Sequence, residues 1–86
     1  MKINYHKKFY KNFDKLPVKI REKFYERLKI FSQNQFNPAL NNHALVGKYK
    51  GFRSIDITGD LRAIFEPVDK DISLFIMVDT HSNLYK

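Results

Sequence analysis

Residues 52–78 read FRSIDITGDLRAIFEPVDKDISLFIMV, and this stretch decides the fold. From Phe52 the pattern has a period of two: Phe52, Ser54, Asp56 and Thr58 alternate with Arg53, Ile55 and Ile57. That alternation is what a strand with two unlike faces requires. Gly59-Asp60 signals a turn, and Leu61 to Glu66 reads as a second strand that Pro67 should end. Val68-Asp69-Lys70-Asp71 reads as a polar turn. Ile72 to Val78 is a third strand, apolar enough to lie centrally in a sheet. Turns this short allow only antiparallel neighbours, so a three-stranded meander is expected.

Upstream, Lys2-Ile3-Asn4-Tyr5 alternates polar and apolar like a short strand. Phe9, Phe13 and Leu16 then recur at helical spacing, with Pro17 as a limit. Ile20, Phe24, Leu28 and Phe31 predict a second helix over about residues 17–33, with Lys19, Arg21, Glu22, Lys23, Glu26 and Lys29 on its other side. Residues 33–43, rich in Asn, read as an ordered loop, and Val46 to Phe52 as a turn-like segment around Gly47 and Gly51. The expected layout is β-α-α-β-β-β. This is an α+β domain spanning residues 1–86, an antiparallel sheet with an N-terminal helical hairpin packed on one face. The other face is expected to stay open, its polar residues turned to solvent or ligand.

Composition narrows the function. The chain has no cysteine, which excludes a disulfide framework and thiolate metal sites and fits a reducing compartment. Lysines interrupt the first twenty residues, unlike a secretory leader. No apolar run approaches the roughly 20 residues of a spanning helix. The expectation is a soluble cytoplasmic protein with no membrane partner. Net charge is +7, and its distribution is uneven: residues 1–30 hold ten Lys/Arg against three Asp/Glu, while residues 31–86 hold six of each. A one-sided basic surface attracts polyanions or an acidic partner; solubility alone is the plainer account.

His43 precedes the sheet, Asp60 and Arg62 flank the first turn of the meander, and His81 and Tyr85 follow its last strand. If they converge at one end of the sheet, they suit RNA strand cleavage. The 2′-hydroxyl must lose a proton and the departing 5′-oxygen must gain one, steps matched to an imidazole. The crowded phosphate needs the charge and fork of an arginine, Arg53 or Arg62. An aromatic such as Tyr85 can stack on an unpaired base. No metal or other cofactor is required, and no HxxxH or HExxH spacing suggests one. Each residue also has a plainer account. His43 and His81 could serve as caps, Asp60 as a turn former, Arg53 and Arg62 as solvated strand residues, and Tyr85 as a core plug or frayed end.

Three ordered stretches resemble the RelE superfamily of bacterial toxins, most closely its YafQ branch. Residues 42–53, NHALVGKYKGFR, are similar to the branch's H-x-L-x-G-x-(W/Y)-x-G-(Y/F)-R segment. Residues 59–65, GDLRAIF, resemble its D-(W/L)-x-(L/A)-I-(Y/F) strand, and residues 80–85, THSNLY, its G-T-H-(S/A)-x-L-(F/Y) ending. The opening Phe-x-K-x-(F/Y)-x-K-L-P pattern and the second helix fit as well. The resemblance implies a RelE-like toxin of a type II toxin–antitoxin system. Such a toxin is a ribosome-dependent endoribonuclease that cuts mRNA without a metal and is neutralised by a cognate antitoxin. It further implies His81 and Asp60 as proton-transfer groups, His43 as a supporting base or phosphate contact, and Tyr85 orienting the substrate. Arg53 and Arg62 would stabilise phosphate charge, with Lys48 and Lys50 as backbone contacts.

The chain departs from the branch's pattern at three positions. Asp56 stands where a histidine is common, which leaves the general base open; a carboxylate there repels phosphate unless Arg53 or Arg62 pairs with it. Leu61 replaces an aromatic. Asp79 stands where Gly is frequent, in the turn that presents His81. Two rival readings follow: a ParE-like toxin that inhibits DNA gyrase without cutting RNA, and a decayed module that only binds antitoxin. The paired histidines and terminal aromatic argue against the first, and Asp56 keeps the second open.

Overall fold

In the structure, a computed structural model describing residues 1–84, the chain runs β1 (Lys2–Tyr5), α1 (Lys7–Phe13), α2 (Val18–Gln33), β2 (His43–Ala44), β3 (Arg53–Asp56), β4 (Leu61–Asp69), β5 (Ile72–Thr80) and one helical turn, α3 (His81–Leu84). His6 caps α1 by accepting the Lys8 N–H on Nδ1 at 3.0 Å. This helix stops at Phe13, short of Leu16. The ring of Pro17 disfavours helical backbone in the residue before it, so Leu16 lies in the turn that feeds α2.

The five strands lie in the order β1-β5-β4-β3-β2. Strands β3, β4 and β5 form the antiparallel meander that the short turns dictate, and β2 pairs antiparallel with β3. Strand β1 joins β5 in parallel, so the sheet is mixed. A parallel neighbour needs a crossover, and the helical hairpin supplies part of it. The two-residue β2 falls where a loop was expected; it is too short to carry a periodic signal.

Strand β4 does not end before Pro67 but continues to Asp69. Its pairing with β3 ends at Arg53–Phe65, so from Glu66 onward β4 has a strand on one side only. The register also shifts between Pro67 and Asp69. An edge at a bulge is where a missing backbone N–H is tolerated. A second shift, between Ile64 and Phe65, leaves Ile76 as an extra residue in β5. Near it the Asn12 side chain of α1 accepts the Val78 N–H, tying the helical layer to a part of β5 that β1 does not cover.

One face of the sheet carries Ile55, Ile57, Ala63, Phe65, Phe75 and Val78, packed against Phe9, Phe13, Phe24 and Phe31 of the helices. Phe75 is the hub. Its ring centroid lies 5.2–6.3 Å from those of Phe65, Phe31, Phe24, Tyr5 and Phe9. The opposite face is not wholly open, contrary to expectation. Ile64 and Met77 pack there under Leu45, Tyr49, Phe52 and Leu84 in a second, smaller core. Apolar residues on both faces of β4 and β5 need two covers, and the segment after β2 together with α3 provides the second.

Candidate active site

Alternation from Ile55 places Ser54 and Asp56 on the face turned away from the helices, and the register aligns two rows there. His43, Ser54, Ile64 and Met77 form one row; Asp56, Arg62 and Asp79 form the next, two residues along each strand. The turn between β3 and β4 and the start of α3 close the end beyond the second row.

Asp56 and Arg62 are cross-strand partners and an ion pair, with Arg62 Nε 2.9 Å from Asp56 Oδ1. Both atoms are buried, and the contact lies off the line of a hydrogen bond, so charge rather than donor alignment holds it. Arg62 Nη1 donates to three carbonyls of its own hairpin turn: Thr58 at 2.9 Å, Leu61 at 3.2 Å and Gly59 at 3.3 Å. Two of the three guanidinium nitrogens, Nε and Nη1, are therefore committed.

Asp60 sits exposed at the tip of this turn, whose backbone is tied by the Thr58 hydroxyl accepting the Leu61 N–H at 3.1 Å. The Asp60 carbonyl in turn accepts the His81 N–H at 2.7 Å. His81 is the first residue of α3 and is exposed. The cap before it presents it. Thr80 Oγ1 accepts the Asn83 N–H at 3.2 Å, and Asp79 Oδ1 accepts the Thr80 N–H at 2.8 Å and the Asn83 side-chain amide at 3.0 Å. Asp79, where Gly is frequent in the resembled pattern, thus serves the cap. Asp60, Arg62 and His81 share one end of the sheet.

His43 is held from both sides. Its Nδ1 lies 2.8 Å from the Asn41 carbonyl, and its Nε2 lies 3.3 Å from the hydroxyl of fully buried Ser54. A carbonyl can only accept, so Nδ1 carries a hydrogen; in the neutral ring Nε2 then accepts from Ser54. Asn41 adopts φ 49, a left-handed conformation that Asn tolerates, and so aims its carbonyl at the ring. Ser54 and Asn41 were not singled out in the sequence; an Asn-Asn pair before the histidine was the one available signal.

Arg53 stands apart from this group. It shares the parity of Ile55, donates from Nε to Asn42 Oδ1 at 2.8 Å, and lies over the Phe36 ring at 5.5 Å. It therefore braces the loop after α2. Lys48 and Lys50 are exposed on the segment that covers the second core, with Lys48 over the Tyr49 ring at 5.2 Å. They lie on the Arg62 side of the sheet, whereas the basic helices cover the other side. Tyr85 lies outside the described residues. No group of three or more His, Asp and Glu side chains close enough to hold a metal occurs among the described residues, and none of their helices is long and apolar enough to cross a membrane.

The comparisons with known proteins agree among themselves. Residues 1–86 match the family described as bacterial toxin of type II toxin-antitoxin system, YafQ. The crystal structure of YafQ from E. coli strain BL21(DE3) is similar to this chain at a TM-score of 0.77 and 18% identity, covering 98% of this chain and 97% of that one. The toxin in the E. coli DinJ-YafQ toxin-antitoxin complex is similar at 0.75 and 19%, with 98% and 96% covered. The solution structure of the conserved hypothetical protein HP0894 from Helicobacter pylori reaches 28% identity at a TM-score of 0.65, with 95% and 96% covered. No curated protein sequence matches at a significant level.

Proposed function

The chain belongs to the YafQ family of toxins of type II toxin–antitoxin systems, and from that premise we propose that it is a metal-independent endoribonuclease that cuts mRNA on the ribosome and is held in check by a cognate antitoxin. The observation that supports the reading is the 2.7 Å bond between the His81 N–H and the Asp60 carbonyl, which joins the backbone of these two residues at the end of the sheet where Arg62 also lies. Solved complexes of similar toxins, DinJ-YafQ and RelBE2, support the antitoxin as partner.

In the proposed reaction the 2′-oxygen attacks the adjacent phosphorus as its proton passes to a base. The P–O5′ bond breaks as O5′ takes a proton from an acid, leaving a 2′,3′-cyclic phosphate on one fragment and a free 5′-hydroxyl on the other. His81 and Asp60 are the proton-transfer groups, since both are exposed at the same end of the sheet. Arg62 meets the phosphate through Nη2. His43, fixed by Asn41 and Ser54, supports the substrate and is not the primary base. Tyr85 stacks on or orients a base, and Lys48 and Lys50 hold the RNA backbone. The protein acts in the cytoplasm, where its message is translated.

A second reading, an antitoxin-binding module without turnover, draws on the two carboxylates, Asp56 and Asp79, that flank Arg62 and reduce its pull on phosphate. In vitro translation with purified protein separates the two. Cleavage of the message on a programmed ribosome supports the nuclease; an intact message, with binding to the antitoxin retained, supports the second reading.

A further inference from the structure

Resting on the nuclease reading, we propose that Asp56 is a positioning residue. It holds Arg62, and through Arg62 the turn that carries Asp60, and it does not exchange a proton with RNA. Asp56 Oδ1 is buried against Arg62 Nε at 2.9 Å, and the Arg62 side chain is only 11% exposed against 29% for Asp56, so Asp56 stands as the counter-ion of a largely buried guanidinium. The same guanidinium bonds the carbonyls of Thr58, Gly59 and Leu61 through Nη1. The arginine is thus clamped between the last residue of β3 and the turn that follows it, and Asp60 lies within the span it bridges. Its remaining nitrogen, Nη2, takes its direction from the clamp.

Charge fits this role. Arg62 lies between Asp56 and Asp79 in one cross-strand row, and Asp79 is spent on the α3 cap through Thr80 and Asn83. Asp56 is the carboxylate in contact with the buried guanidinium and supplies its nearest compensation. Asparagine keeps the shape but has neither the charge that holds Arg62 nor the basicity of a carboxylate. Alanine removes the shape as well.

The experiment compares the parent with Asp56→Asn, Asp56→Ala, Arg62→Ala and the Asp56→Ala/Arg62→Ala double variant. Cleavage on programmed ribosomes is measured across pH, and hydrogen exchange of the Arg62 Nε–H is followed by NMR in the isolated protein. Asp56→Asn, which lacks the charge that holds Arg62, is expected to lose about tenfold or more and to expose the Nε–H to exchange, with the limbs of the pH profile unaltered. Asp56→Ala is expected to lose about thirtyfold or more, expose the Nε–H to exchange, and add little to Arg62→Ala. The proposal is overturned if Asp56→Asn loses activity together with a limb of the pH profile while its Nε–H stays protected, or if the Nε–H exchanges equally fast in the parent, Asp56→Asn and Asp56→Ala. Should the parent fail to cleave, the nuclease reading falls while the exchange rates still decide whether Asp56 holds Arg62.

Discussion

The main-chain N–H of His81 donates to the carbonyl oxygen of Asp60 at 2.7 Å, joining the first residue of α3 to the β3–β4 turn. Twenty-one positions apart in the chain, the two residues owe their meeting to the antiparallel register in which Leu61 faces Thr80 and Arg62 faces Asp79. The link fixes backbone to backbone, so it survives substitution of either side chain. Loss of activity in such variants then reports the chemistry of the missing group rather than loss of the arrangement.

The aim of His81 depends on the cap before it. Asn83→Ala removes the amide bonded to Asp79, and Thr80→Ala removes the acceptor of the Asn83 N–H. Each is expected to cost about 1 kcal/mol of stability, as for an ordinary helix cap. Cleavage should fall further, by about tenfold, because a reacting group displaced by about 1 Å loses more than its cap is worth. Parallel thermal melts and cleavage rates would separate the two effects; equal losses in both would show that the cap serves folding alone.

Phe75 packs against five other rings, three from the helices and two from neighbouring strands. Phe75→Ala is expected to lower stability by about 3–5 kcal/mol, a cavity cost that a domain of this size barely survives. Ile64→Ala, in the smaller core under α3, should cost about 2–5 kcal/mol and also loosen the cover formed by Leu45 and Leu84. Denaturant midpoints check both values.

Tyr5 is the group whose ionisation should mark alkaline unfolding. Burial, then the neighbouring phenols of Tyr25 and Tyr10, push its hydroxyl above the ordinary value of 10.0. A raised folded pKa means that the unfolded chain releases the proton first. Its contribution is therefore intact below pH 10.0 and declines as pH climbs from there through the folded pKa. Denaturant midpoints measured on either side of that value should drop in the parent and drop less in Tyr5→Phe.

Lys48 and Lys50 share the Arg62 side of the sheet, while the lysines of α1 and α2 lie on the far side. Lys48→Ala with Lys50→Ala is expected to raise KM for the ribosome-bound message and to lower the slope of log affinity against log salt by about 0.7 per lost single-strand phosphate contact. Removing Lys19 and Lys29 from α2 should change that slope less at the cut site. Equal effects from both pairs would mean that RNA approaches from the helical face as well.

The strands of the meander and the two helices were legible because period two and period 3.6 are strong in FRSIDITG and in the Ile20–Phe31 series. The ends were less so. Pro67 reads as a stop, yet β4 passes through it, since neither an edge nor a bulge is visible in a single strand's pattern. The second core was hidden for a related reason: Leu45, Phe52 and Leu84 lie far apart in the chain and cover Ile64 only once the register is set. The candidate residues were chosen by type and spacing, and their roles by resemblance; the partners of Arg62 were not legible. Sequence offered Asp56 two arginines, and alternation across the sheet selects Arg62 and turns Arg53 toward Asn42.

The most direct test of the account is message cleavage on programmed ribosomes by the parent, His81→Ala and Asp60→Asn. The account predicts discrete cuts by the parent and rates lower by about 10²- to 10⁴-fold in each variant, the range for loss of one positioned proton-transfer group, with folding and antitoxin binding retained. Parent-like cutting by both variants, or a message left whole by the parent, would contradict it.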